Sequence, residues 1–470
     1  MIVRLFVVGL LLSPALHVHA QSYVGLRFDN YAGVQGLTFN PASVVNPHLR
    51  GEINLASASA FLGNDYVSIG VSDVLEISDN FDFLDGEYVT ASNENYVATN
   101  VDILGPSVLF ATGKKSGLAL MTRVRTMANV DNVNGELLRE VEQSFQGETD
   151  FAFSFDNQRV TGHGWGEVAL VYGREVAAWE GGVVRAAVTA KYLKGAGAAY
   201  ITGRRLAGEY NAGLQTLTAE GDVSYGYTSG FEDGEFSTES LGSGFGFDLG
   251  LLYEWQPTGE KFTRKRYKLK LGVSLTDLGS ISYSDARLNS YVLSGTADVK
   301  NYEEQGLEDF LIENYEGRSD VEERAYRLPT ALRLMADLSL TRNLFVTVAS
   351  TRSLTKDEPF ATAVRNTLVV APRLESKWLS VYSPLTFGDG DSFRWGLGLR
   401  LGLLTVGSGS ALSALLQDDT QAVDLYAGLK IPFYRKGIAR QSKEEDREGE
   451  AEDADQSEAE TEDKKDRRRR

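Results

Sequence analysis

Residues 244–255 read Gly-Phe-Gly-Phe-Asp-Leu-Gly-Leu-Leu-Tyr-Glu-Trp. Phe245, Phe247, Leu249, Leu251, Tyr253 and Trp255 take every second position, with Gly244, Gly246, Asp248, Gly250, Leu252 and Glu254 between them. Successive side chains of a strand point to opposite faces, so one face is large and apolar and the other mostly small or charged. Aromatics stand at both ends of the apolar face, and about ten residues is the length with which a tilted strand crosses a bilayer. The stretch predicts a membrane-spanning strand.

The same device recurs along the chain. Val184, Ala186, Val188, Ala190 and Tyr192 oppose Arg185, Thr189 and Lys191. Leu269, Leu271 and Val273 oppose Arg266, Lys268 and Lys270, and Leu332, Leu334, Ala336 and Leu338 oppose Arg333 and Asp337. Phe393, Trp395, Leu397, Leu399 and Leu401 oppose Arg394 and Arg400, and the last strand, Val423 to Phe433, opposes Asp424 and Lys430. Lipid offers no partner to an open strand edge, so such strands must close on themselves. The expected fold is all-β: a transmembrane outer-membrane antiparallel β-barrel of about fourteen strands, with short loop helices and a disordered C-terminal tail. The charged residues, with Asp248, then face the lumen. Their mixed signs suit salt bridges across a filled lumen as readily as a selective pore, and a filled lumen is the expectation.

Composition narrows the function. Residues 1–20 read as a signal peptide: Arg4, an apolar run from Leu5 to Leu12, a break at Ser13-Pro14, and Val18-His19-Ala20 before the cleavage point. There is no cysteine, and beyond residue 20 only His48 and His163 remain, thin material for a metal site or histidine-dependent catalysis. No cofactor and no enzymatic activity are expected. The net charge of −18 argues against a nucleic-acid partner. Residues 440–470 are almost wholly polar and cannot bury a core. The expected organisation is a signal peptide (1–20), an N-terminal hatch-like periplasmic segment (21–50), the barrel (51–434) and a disordered charged tail (435–470). An even strand count leaves both ends, and the tail, in the periplasm.

Two stretches change period. Leu137, Leu138, Val141 and Phe145 fall at helical spacing within Asn134 to Phe145, and Leu307, Phe310, Leu311 and Tyr315 do so within the acidic stretch Asn301 to Arg324. Both predict loop helices. Asp73 to Glu94 reads as an acidic loop or hairpin, and residues 388–391, Gly-Asp-Gly-Asp, as a turn.

The N-terminal wording GVQGLTFNPASVVNP, residues 33–47, followed by INLASASAFLGNDY, residues 53–66, resembles the start of a Bacteroidota outer-membrane family of unknown function. It is more distantly similar to FadL-type transporters and to PorV-like type IX secretion barrels. The matching motif is Asn40, Pro41 and Ala42. LPTALR, residues 328–333, also resembles the PorV-like class, while KYLKGAGAAYI, residues 191–201, and SLTDLGSISYSD, residues 274–285, resemble FadL-like phrases at which a strand ends in a turn. The resemblance implies an N-terminal segment folded into the lumen. A FadL-like protein would pass small hydrophobic molecules across the outer membrane, with Leu307, Phe310 and Leu311 roofing a pocket at the mouth. A PorV-like one would dock a secreted or surface protein on the same loops. Either implies outer-membrane lipid around the barrel and the barrel-assembly machinery during insertion.

Overall fold

The computed structural model describes residues 23–68, 87–88, 92, 94–228, 241–257, 267–388, 393–416 and 421–435. The signal peptide, the turn at 389–391, the tail and most of the acidic loop from Asp73 lie outside the described residues.

Fourteen antiparallel strands close into a barrel. In chain order the strands are β1 (Leu49–Asn64), β2 (Asn95–Leu104 and Ser107–Ala111), β3 (Ser116–Val133), β4 (Phe151–Trp179), β5 (Gly182–Asn211), β6 (Thr216–Tyr227), β7 (Gly242–Trp255) and β8 (Leu269–Asp298). They continue as β9 (Glu316–Arg327), β10 (Ala331–Ser339), β11 (Leu344–Ser353), β12 (Thr367–Glu375), β13 (Leu379–Tyr382 and Leu385–Gly388), β14 (Phe393–Trp395 and Leu397–Leu401), β15 (Leu404–Ser408) and β16 (Ala422–Tyr434). All but β6 and β9 belong to the barrel wall. β16 pairs with β1 from Leu49↔Tyr434 to Gly63↔Ala422, which removes both sheet edges. β13 is interrupted at Ser383-Pro384, where proline has no N–H to donate to a neighbour.

The alternation read in the sequence is the wall. Phe245, Phe247, Leu249 and Leu251 point outward, as do Val188, Leu271, Leu334, Leu401 and Leu425 on other strands. Trp179, Trp255 and Trp378 ring the rim at which β1 begins and β16 ends; Tyr192, Phe245, Phe387 and Phe393 ring the other side of the band. Aromatic girdles flanking an apolar belt place the wall in a bilayer. No described helix is long and apolar enough to cross a membrane.

Several strands continue far beyond the upper girdle. A 30-residue strand such as β8 extends roughly 100 Å, against a hydrocarbon core of about 30 Å. Here β6 replaces β7 as the neighbour: β5 pairs with β7 over residues 182–195 and with β6 over 199–211. On its other side β8 exchanges β10 for β9. One face of this extension carries Phe153, Phe155, Leu206, Tyr210, Leu217, Tyr225, Tyr291 and Leu293, buried beneath two helices, α2 (Gly135–Glu142) and α3 (Tyr302–Asn314). A four-residue helix within the lumen, α1 (Val34–Leu37), precedes them. α2 is started by Asn134, whose side chain accepts from the Leu137 N–H.

Three sequence expectations change. KYLKGAGAAYI does not end in a turn; it lies wholly inside β5. SLTDLGSISYSD is not a turn either. Asp277 (φ 59°) and Gly279 (φ 139°) form an irregularity where the β7–β8 register slips between Phe247 and Leu249, and β8 continues through Tyr291, so no separate strand begins there. A Cβ on Gly279 would meet Phe245 O at 2.1 Å, so the glycine is what lets the strands stay together. The stretch from Asn301 to Arg324 is helical only as far as Asn314; Glu316–Arg327 is strand β9, whose polar composition hides its period because nearly every side chain is solvated.

Candidate functional site

The lumen is occupied by the chain's own N-terminal segment. From Tyr23 to Pro47 almost every residue is buried, in a series of tight turns: a 3-10 turn Leu26–Phe28, α1, and a second 3-10 turn Pro41–Val44. Its apolar side chains Tyr23, Leu26, Val34, Leu37 and Val44 pack on inward wall residues including Phe61, Leu109, Met121, Val171, Tyr382 and Tyr426. Where the plug presses closest, the wall carries glycine. A Cβ on Gly117 would lie 2.2 Å from Val44 O, and one on Gly250 would lie 2.3 Å from Asn40 Oδ1.

Asn40-Pro41-Ala42 is the joint. Asn40 Oδ1 accepts from the Ala42 N–H at 3.0 Å and caps the turn that Pro41 begins with its fixed φ. Its Nδ2 donates to two wall carbonyls, Leu251 O at 3.0 Å and Val273 O at 3.2 Å. One side chain thus fixes the turn and ties it across β7 and β8. Further ties are ionic. Asp29 pairs with Arg400 at 2.9 Å, and Lys430 Nζ donates to the carbonyls of Tyr31 and Ala32 at 2.7 and 2.6 Å while pairing with Glu52. Glu52 accepts from the Val34 N–H, Gln35 donates to Asn54 and Ser57, and Asn30 meets Tyr267, Lys270 and Glu375.

Of the charged residues read as lumen-facing, Arg185, Lys191, Asp248, Lys270, Asp337 and Arg400 are buried in ion pairs, and Arg333 and Arg394 are buried with other contacts. Arg185 holds Glu254 at 2.7 Å; Lys191 bridges Asp248 at 2.8 Å and Asp277 at 2.6 Å; Asp337 accepts from Arg373 and lies 3.9 Å from Lys270. Arg394 faces inward over the Phe61 ring at 5.0 Å, and Arg333 donates to Thr276. Lys268 is a correction. It sits in an exposed bend before β8, donating to Ser339 O, and the residue aimed inward at that point is Tyr267. The strand begins only at Leu269, so the alternation does not extend back to it. Arg266 lies outside the described residues. Leu307, Phe310 and Leu311 lie in the extension's core, Phe310 and Leu311 buried against Tyr302 and Phe145.

Other lumen residues escaped the sequence reading. Arg123 holds Asp102 and Glu167, and Arg125 holds Asp277. The signal for them was present: Arg123 and Arg125 flank Val124, which is 54% exposed to lipid, in the same apolar-out alternation. Asp29 and Asn30 carried no such signal, since a turn-rich segment has no period from which to read a face. His163 is buried among Trp165, Tyr283 and Tyr326, with Nε2 3.1 Å from the Tyr283 hydroxyl. Among the described residues there is no group of His, Asp and Glu that could hold a metal.

No curated protein matches the chain. Solved structures with a similar course include the TodX deltaS2S3 mutant monoaromatic hydrocarbon channel, at 10% identity and TM-score 0.44, covering 86% of this chain and 95% of that one. A Pseudomonas aeruginosa FadL homologue matches at 10% identity and TM-score 0.40, over 88% and 97% of the two chains. The Ralstonia pickettii toluene transporter TbuX matches at 10% and 0.40, over 86% and 94%. At family level the match is direct and spans residues 41–409, from Pro41 to the loop before the last strand: the chain belongs to the family of unknown function DUF5723.

Proposed function

We propose that the protein is a gated conduit for small molecules across the outer membrane, with residues 23–47 as its hatch and Asn40-Pro41-Ala42 as the joint of that hatch. The rim with short turns, where β1 begins and β16 ends, faces the periplasm, and the long extension faces outward. The observation that carries the reading is a closed membrane barrel whose lumen is filled by a separate segment, packed on the wall and tied to it through side-chain hydrogen bonds and ion pairs rather than through strand pairing. Water can replace such contacts when the segment moves, whereas continuous strands of the wall cannot leave without opening the barrel. The hydrophobic solutes implied by the FadL-like resemblance would meet a lining here in which buried ion pairs stand beside apolar residues, so the lumen suits amphiphilic molecules better than a purely apolar one.

The experiment bridges hatch to wall. The chain has no cysteine, so Gln35→Cys with Ser57→Cys can be joined by a short thiol-reactive cross-linker without interference. Proteoliposome uptake of small solutes should fall when the pair is bridged and return when the bridge is cleaved. Equal absence of uptake in both states, together with a secreted protein that co-purifies with the barrel, would replace the conduit with the docking reading.

A further inference from the structure

Above the plug lies a chamber of about 60 Å³ whose charged lining is entirely basic among the described residues: Arg27, Arg123, Arg125, Arg333 and Arg365. Its floor is the plug, through Arg27 and Thr38. Its roof is the connection after β11, where Ala363 exchanges two hydrogen bonds with the Asn129 side chain, at 2.8 and 3.0 Å.

Three of the five guanidinium groups already have carboxylates. Arg123 is held by Asp102 and Glu167, Arg125 by Asp277, and Arg365 by Asp131. Arg27 and Arg333 have none at ion-pairing distance among the described residues. Arg27 Nε is buried without a hydrogen-bond partner, and Arg333 makes one described hydrogen bond, to Thr276. Both lie over the Phe39 ring, at 4.9 and 5.6 Å from its centroid. Asp277, an acid near Arg333, is already shared by Arg125 and Lys191. Two like charges withdrawn from water beside one ring are costly unless a counter-charge joins them. Stacking on an aromatic face leaves the N–H edges of a guanidinium free, and those edges match the oxygens of a tetrahedral oxyanion.

We infer that this chamber is a binding site for a small oxyanion carrying two negative charges, with Arg27 of the plug and Arg333 of the wall as its ligands. The inference needs only the plugged lumen, not the passage of solute. Because one ligand is on the plug and the other on the wall, a bound oxyanion latches the plug in place.

The test uses inorganic phosphate and the full-length barrel in a nonionic detergent. Equilibrium dialysis should find saturable binding of one phosphate per barrel. Arg27→Gln or Arg333→Gln should weaken it roughly tenfold, the scale of one charge-assisted contact, while the exposed Arg204→Gln should not. Phosphate should also raise the unfolding temperature of the unaltered protein, where chloride at equal ionic strength does not. That readout stands even if a variant fails to fold. Absence of saturable binding at millimolar phosphate, binding indifferent to both arginines, or displacement by equimolar octanoate, a monovalent carboxylate, would each overturn the inference.

Discussion

Arg373 shows what one lumen residue is asked to do. Its side chain is fully buried; Nη1 and Nη2 donate to Asp337 at 2.9 and 2.7 Å, and Nε donates to Glu375. Asp337 also accepts from Tyr267 and Thr347, so four elements meet on one carboxylate: β8's approach, β10, β11 and β12. Removing one partner of such a pair strands the other charge. Asp337→Ala should lower stability by about 3–5 kcal/mol, whereas replacing Asp337 and Arg373 together by leucine, with Glu375→Gln so that no carboxylate is left without its cation, should restore much of the loss. The comparison is made by the temperature at which each barrel loses its compact form on a denaturing gel. At Gly250 the effect is on the plug instead. Gly250→Val puts a Cβ into the space of Asn40 and Pro41, so the wall should fold while the plug loses its joint. Protease access to residues 23–47 should then rise, and protection equal to that of the unaltered protein would refute the contact.

At the scale of elements, the wall and the extension answer to different solvents. Leu249 is 49% exposed on the lipid-facing side of β7 between the girdles, so Leu249→Arg should cost about 2–4 kcal/mol and impair insertion. Phe310, from α3, is buried in the extension's core against Phe145 and Tyr225's cluster; Phe310→Ala should cost about 3–5 kcal/mol there while leaving insertion intact. Hydrogen exchange should show faster opening of β6 and α3 and no change in β12 and β13. The same division explains what could be read from the chain. Lipid on one side and a charged lumen on the other write a two-residue period, so β7, β10, β14 and β16 were legible from alternation. The extension has water on one face and an aromatic core on the other, and β9 has water around nearly all its side chains, so its period vanishes. Turn-like wording also misled where a glycine serves a slipped register, as Gly279 does, rather than a reversal of the chain. The Asn40-Pro41-Ala42 resemblance implies a segment folded into the lumen, but no local pattern in the chain indicates its ion pairs, because Asp29 finds Arg400 only across the folded lumen.

At the scale of the whole molecule, one seam and one stopper define the object. The seam is β16 on β1, and it ends at Tyr434. Deleting residues 441–470 should therefore leave a barrel that still shifts on heating, whereas a chain ending before Val423 should fail to insert, because β1 and β15 would both become open edges in lipid. The stopper is the segment from Tyr23 to Pro47, joined to the wall from within. The most direct measurement of the central claim is the conductance of single barrels in a planar bilayer, with and without residues 23–47. The account predicts a nearly closed barrel when the segment is present and stable open-pore currents when it is deleted. Equal conductance in the two proteins would mean that this segment does not close the lumen, and the plugged-barrel account would be wrong.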